Sequence, residues 1–331
     1  NPSAYHGVGS FDPDAGVSGG GGQTFSGTFG NCLCELAEED PRICAITAAM
    51  QDGVGLSQFA EKFPDRFFDV GIAEEHAVTF AAGLAAGGLK PIVAIYSSFL
   101  QRAYDQILHD VCIQNLPVVF AIDRAGIVGS DGETHQGIFD LSYLSCIPGM
   151  HVMAPKNKWE LSDMLKFAVD FDGPIAIRYP RGEAYAGLQE YREPIALGKS
   201  EWIYKESQIV LLAVGSMVKT AEEVRLKLKA EGYACSLVNA RFVKPIDEEM
   251  VQKAATGHKL IVTLEENVAS GGFGEKVRTC LEEKQFYTDI LTVHIPDAYV
   301  EHGSVDILKK EIGMDADSIF AKIKMRMMQI D

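Results

Sequence analysis

Two successive series of short, almost wholly apolar segments constrain this chain more than any other feature. The first comprises "RICAIT" (42–47), "KPIVAIY" (90–96), "LPVVFAID" (116–123), "MHVMAP" (150–155) and "GPIAIRYP" (173–180). The second comprises "QIVLLAVG" (208–215), "CSLVNA" (235–240), "KLIVTLEE" (259–266) and "ILTVHIP" (290–296). Their apolar residues run consecutively instead of alternating with polar ones, which is the pattern of strands covered on both faces in parallel sheets. Helical stretches such as "KTAEEVRLKLKAEG" (219–232) separate them. The chain therefore reads as two doubly wound α/β domains, at residues 24–190 and 195–331, joined near "EYREPIALGK". With 331 residues, 47% of them hydrophobic, it is long enough to bury both cores. Residues 1–23 have no period and contain "SGGGG", a linker composition.

Charge and cysteine usage narrow the partners. A net charge of −16 disfavours nucleic acid and anionic lipid, both of which need clustered Lys and Arg. Charges, Gly or Pro interrupt every apolar run, so no membrane span is expected. Seven cysteines, an odd number lying in core-like segments, read as buried reduced thiols of a cytoplasmic protein. Cys32 and Cys34 have no second Cys/His pair nearby, so no metal site is expected on this chain. The opening at Asn1 resembles neither a secretory signal nor a transit segment, and more sequence is expected ahead of it.

In doubly wound sheets, ligands sit beyond the carboxyl ends of the strands. Four polar loops of the first domain take that place: "DVGIAEEH", "YSSFLQRAYDQ", "DRAGIVGSDGETHQG" and "RYPRG". "DVGIAEEHAVTFAAGLAAG" (69–87) opens an apolar helix with two carboxylates and an imidazole. Helical spacing from Glu74 reaches Ala77, Val78 and Ala81, so Glu74 belongs to the apolar face, while Glu75 and His76 read as a polar entrance. Two readings of Glu74 stand at this point: a carboxylate capping the helix dipole, or a carboxyl set for proton exchange with a ligand. The loop at 123–137 carries Asp123, Arg124, Asp131, Glu133 and His135 among four glycines, and a loop of that length is either functional or a solvated surface loop. Arg181, just past a strand end, suits phosphate or a simple salt bridge.

The segments "FDVGIAEEHAVTFAAGLA", "PIVAIYSSFLQRAYDQILHDV", "LPVVFAIDRAGIVGSDGETHQGIFDLSYL", "RYPRG" and "ARFVKPID" together resemble the 1-deoxy-D-xylulose-5-phosphate synthases, thiamin diphosphate enzymes of the transketolase superfamily. The resemblance runs in family order over nearly the whole chain. It implies a pyrimidine-binding domain at 24–190 and a transketolase C-terminal domain at 195–331. It also implies that Glu74 hydrogen-bonds the cofactor's aminopyrimidine and drives its amino-to-imino switch, a role that an apolar setting favouring the acid form would suit. By the same resemblance Phe99 matches the ring packed on the aminopyrimidine, and Tyr96, Arg124 and Arg181 match groups near the acceptor's phosphate. Asp131 and His135 match groups around the reacting carbonyl and hydroxyls, with His135 either handling a proton or only ordering the loop. The implied reaction decarboxylates pyruvate and joins the two-carbon unit to glyceraldehyde 3-phosphate, in a homodimer.

One departure from the family is large. The Gly-Asp-Gly and downstream Asn that hold Mg2+ and the cofactor's diphosphate are lacking, and "GSDGE" belongs to the substrate loop. A missing N-terminal diphosphate-binding domain, in the same or a separate chain, is therefore implied, and this chain is expected to be inactive without it. The rivals are the beta subunit of the pyruvate dehydrogenase first component, a split transketolase C-terminal subunit and, in another class, a non-catalytic α/β assembly module. The 123–137 loop favours the synthase, and the joint presence of Glu74, Phe99, Asp131, His135 and Arg181 speaks against a scaffold. Two further segments have simpler readings: "SGGFG" (270–274) as close helix-to-strand packing, since it lacks G-x-G-x-x-G spacing, and "SIFAKIKMRMMQ" (318–329) as a packed terminal helix.

Overall fold

A computed structural model describes residues 23–129 and 131–330; the linker expected at 1–23 therefore lies almost wholly outside the described residues. The first sheet has seven strands in the order β10-β5-β6-β4-β3-β1-β2. Its strands are β1 (Ile43–Thr47), β2 (Phe67–Asp69), β3 (Lys90–Tyr96), β4 (Val119–Asp123), β5 (His151–Met153), β6 (Ile175–Arg178) and β10 (Phe242–Lys244). The second sheet has the order β12-β11-β8-β9-β7, from β7 (Glu201–Tyr204), β8 (Gln208–Ala213), β9 (Cys235–Asn239), β11 (His258–Val268) and β12 (Asp289–Ile295). Pairing is parallel throughout except at two edges, β10 on β5 and β7 on β9. The expected class, two parallel-dominated α/β sheets, is what the chain forms. β1, β4 and β6 are buried along their whole length, as helices on both faces of a parallel sheet require.

The two halves do not keep separate cores. Val210 and Leu212 of β8, Val238 of β9 and Ile261 of β11 join the core of the first sheet. Their neighbours Ile209, Leu211, Leu237 and Val262 face the other way, under the Met217–Ala230 and Ala316–Ile330 helices. Strand periodicity of two divides the second sheet's apolar residues between both cores. A buried ionic cluster crosses the same boundary: Lys156 Nζ meets Glu160 at 3.1 Å and Glu201 at 2.7 Å, and Arg241 Nε meets Glu160 at 2.8 Å. β10 itself, from "ARFVKPID", adds to the first sheet although it follows three strands of the second half in sequence order.

The terminal helix packs as expected, burying Ile319, Ile323 and Met327. The glycines of "SGGFG" are packing residues: a β-carbon on Gly274 would lie 2.8 Å from Thr263 Oγ1 and from Thr292 Cγ2. Glu265 accepts the amides of Phe273 and Gly274 at 2.7 and 2.8 Å, so the chain's own carboxylate caps that helix. All seven cysteines are free; six are buried, whereas Cys146 is exposed, an exception to the expected core placement. Among the described residues no helix is long and apolar enough to cross a membrane.

Candidate active site

The carboxyl ends of β2, β3, β4 and β6 supply the residues that the sequence singled out. Glu74 starts the Glu74–Ala86 helix beyond β2, Tyr96 ends β3, Arg124 follows β4, and Arg181 lies three residues past β6. Glu74 is buried with Ala77, Val78 and Ala81, while Glu75 and His76 are exposed, as face counting predicts. Its helix has no side-chain cap. The carboxylate has a partner that sequence reading did not single out: Arg102 Nη1 donates to Glu74 Oε1 at 2.6 Å. The expected apolar setting is thus not unopposed, because a guanidinium reaches into it. Arg102 lies in the irregular helical run after β3, within the motif "FLQRAYDQ".

From Glu74 the site extends through ring contacts. The Arg102 guanidinium lies 4.9 Å from the Phe99 ring centre. Phe99 stacks with Tyr96 at 5.8 Å and takes the edge of His135 at 5.1 Å. The Arg124 guanidinium covers Tyr96 at 4.2 Å. Arg124 is held in the left-handed region at φ 57, donates to the Gly53 carbonyl, and pairs with Asp123 at 2.9 Å. Asp123 in turn accepts the Ser26 hydroxyl at 2.6 Å. Burial pushes the Asp123 carboxyl above its usual range, against the pull of Arg124 and the Ser26 hydroxyl. Burial also works against the charge on Arg124, yet Asp123 holds its pKa above the ordinary value. Nε of Arg124 is buried without a hydrogen-bond partner. A side chain at Gly53 would strike the Tyr96 hydroxyl at 1.8 Å, which explains glycine there.

Arg181 and Asp131 form a half-exposed ion pair at 2.8 Å. Burial raises the Tyr96 phenol. His135 is half-buried, with Nδ1 3.0 Å from the Thr134 hydroxyl. The 123–137 loop is closed at its neck, where Gly126 and Gly137 exchange backbone hydrogen bonds of 2.6 and 2.8 Å. Its apolar residue Ile127, with Ile138 just beyond, enters the second core. Gln136 Nε2 donates to the Glu301 carbonyl at 3.0 Å while its Oε1 accepts the Val128 amide at 2.7 Å. The second half of the chain therefore buttresses the loop, a contact between segments far apart in sequence that no local pattern announces. Ser26, Gly53 and Arg102 were likewise missed as site residues, and Asp123 entered only as a residue of the 123–137 loop; Arg102 and Asp123 both stood inside quoted motifs. Among the described residues no cluster of His, Cys, Asp and Glu is arranged to hold a metal ion.

Residues 22–186 match the transketolase pyrimidine-binding domain, and residues 198–319 match the transketolase C-terminal domain. The 1-deoxy-D-xylulose-5-phosphate synthase of Lachnoclostridium phytofermentans is 57% identical over 325 residues, 97% of this chain and 52% of that protein. Synthase 1 of Geobacter sulfurreducens is 53% identical over 97% of this chain and 51% of its own length. The chain thus spans about half the length of the curated relatives it matches. Among solved structures, a split-gene transketolase in an inactive β4 tetramer is 29% identical with a TM-score of 0.82, over 93% of this chain and 99% of that one. The transketolase of Campylobacter jejuni shares the fold at a TM-score of 0.75 and 19% identity, over 91% of this chain and 46% of that one. With both domain matches in family order and the strand-end site built around Glu74, the chain belongs to the transketolase superfamily and carries its pyrimidine-binding and C-terminal domains.

Proposed function

We propose that this chain is the pyrimidine-binding and substrate-loop half of a 1-deoxy-D-xylulose-5-phosphate synthase, which decarboxylates pyruvate and condenses the remaining two carbons with glyceraldehyde 3-phosphate. The observation that carries the reading is Glu74: a buried, uncapped-helix carboxylate beyond a strand end, linked through Arg102 to the face of Phe99. A flat heterocycle with a basic ring nitrogen asks for a carboxyl at its edge and an aromatic surface at its face, and these residues fit that need. Thiamin diphosphate, when bound, supplies the carbon nucleophile that the reaction requires. Glu74 holds a proton at the ring nitrogen, and Phe99 sets the plane of the ring. Arg124, with its unsatisfied Nε, and Arg181 bind the acceptor's phosphate, Tyr96 lines the path between them, and Asp131 and His135 meet the carbonyl and hydroxyls, with His135 moving the proton.

Mg2+ and the cofactor's diphosphate belong, in this reading, to a separate N-terminal domain, in the same or another polypeptide, and the working unit is a cytoplasmic homodimer. The half-length match to the synthases supports that division. The split-gene transketolase, a chain of similar extent in an inactive β4 tetramer, supports a separately encoded subunit that is inactive without its partner domain. The test supplies a diphosphate-binding domain from a similar synthase. Carbon dioxide release from pyruvate that is strongly stimulated by glyceraldehyde 3-phosphate is expected; unstimulated release passed on to lipoamide overturns the proposal in favour of a dehydrogenase subunit. Glu74→Gln should abolish turnover, at least about a thousandfold or 4 kcal/mol, with the fold intact by circular dichroism. Near-normal turnover would return Glu74 to a structural role.

A further inference from the structure

A buried carboxylate in an apolar pocket takes up a proton unless a partner favours its charged form. The Glu74 side chain is 2% exposed, whereas that of Arg102 is 47% exposed, so the guanidinium enters from the solvent side and ends on the carboxylate. At 2.6 Å the contact is a charge-assisted hydrogen bond to one oxygen, Oε1. The same guanidinium rests over Phe99, which ties the position of the carboxylate to that of the ring.

Other ionisable groups on elements packed around this helix are engaged elsewhere or face solvent. Glu75 and His76 are exposed, and His76 stacks on Phe80. Asp105 pairs with His109 at 2.8 Å, and Asp110 accepts the Thr79 hydroxyl at 2.5 Å. Lys90, on the neighbouring strand, pairs with Asp40 and Asp170. Arg102 is thus the charged group that these contacts bring onto Glu74.

We infer that Arg102 is a positioning residue for Glu74: its guanidinium is the counter-charge that holds the buried side chain as an aimed carboxylate, so that a proton shared with a heteroaromatic ring nitrogen rests on the ring. The final clause rests on the proposed function; the counter-charge does not. Removing the guanidinium leaves the carboxylate uncompensated, and the proton then moves to the glutamate.

The experiment uses the full chain, labelled with 13C at glutamate and 15N at arginine, with Glu74→Gln assigning the Glu74 resonance. In Arg102→Met the proton affinity of Glu74 should rise at least about tenfold, one unit in the titration midpoint, and Arg102→Lys should restore most of it. An unchanged Glu74 titration in folded Arg102→Met overturns the inference. If that variant fails to fold, the wild-type chain decides: the Arg102 side-chain nitrogen resonances should move with the Glu74 titration, and movement independent of it overturns the inference equally. With the diphosphate-binding domain supplied, Arg102→Met should lower kcat by about tenfold or more while the pyruvate KM changes little, the mark of a contact that matters to the chemical step. The two ideas fail separately. Full activity in Glu74→Gln sinks the proposed function whatever Arg102 does, whereas an unaltered titration sinks the role of Arg102 whatever the reaction.

Discussion

Asp123 closes the fourth strand with its side chain wholly buried, and its surroundings show how a charge is tolerated in the middle of a fold. Arg124 and the Ser26 hydroxyl compensate a carboxylate that burial alone would push toward its neutral form. Removing one member of such a pair leaves the other charge buried and unpaired. Asp123→Ala should therefore cost about 3–5 kcal/mol in urea unfolding, and it should also loosen Arg124 from its left-handed conformation. At this scale the sequence was partly legible. The burial of Glu74 followed from helical spacing alone, because the apolar face of its helix is a local property. The Ser26–Asp123 contact joins residues 97 positions apart, so no local pattern could reveal it.

Among the elements, the long buried strands were readable and the short edge strands were not. β2 and β10 have three residues each and edge the first sheet, and β7 edges the second. Such segments have little propensity signal of their own and become strands by pairing with a neighbour. The helix after β11 shows the opposite case, in which a glycine-rich sequence announces close packing and the geometry agrees. Gly274→Ala would press a methyl group between Thr263 and Thr292. A loss of about 1–3 kcal/mol in thermal or urea unfolding is expected, as for other overpacked positions. The 123–137 loop is intermediate: its glycines and polar residues marked it as a site, while the insertion of Ile127 into the second core did not show.

Across the whole molecule, the two sheets are locked by a shared core and by buried charge. Glu265 and Glu266, adjacent at the end of β11, are driven in opposite directions. Burial pushes Glu265 up to about 7, against its amide donors and Arg178. For Glu266 the same burial is outweighed by Lys309 and the Ser216 hydroxyl, which hold it below the ordinary carboxyl value. Since the folded value of Glu265 lies above its ordinary 4.5, the native state holds that proton more tightly than the unfolded chain. Its contribution to stability is complete below about pH 4.5 and is lost as pH rises through about 7. Urea unfolding of wild type and Glu265→Gln across this window should show the variant gaining relative to wild type as pH rises, by about 3 kcal/mol in total at about 1.4 kcal/mol per unit. A constant difference would show that Glu265 does not titrate there.

What the sequence determined by itself is whatever depends on near neighbours along the chain: the alternation of buried strands and helices, hence two doubly wound sheets, the loops beyond the strand ends as the place for chemistry, and the apolar face that buries Glu74. What only the tertiary structure decided depends on segments distant in sequence: the strand that the second half lends to the first sheet, the core common to both, the buttress under the 123–137 loop, and the guanidinium of Arg102 on Glu74. The physical reason is the same in each case. Periodicity and turn chemistry act over a few residues, whereas the desolvation of a charge, and the partner that makes it tolerable, are settled only when the chain has brought remote side chains within hydrogen-bond distance.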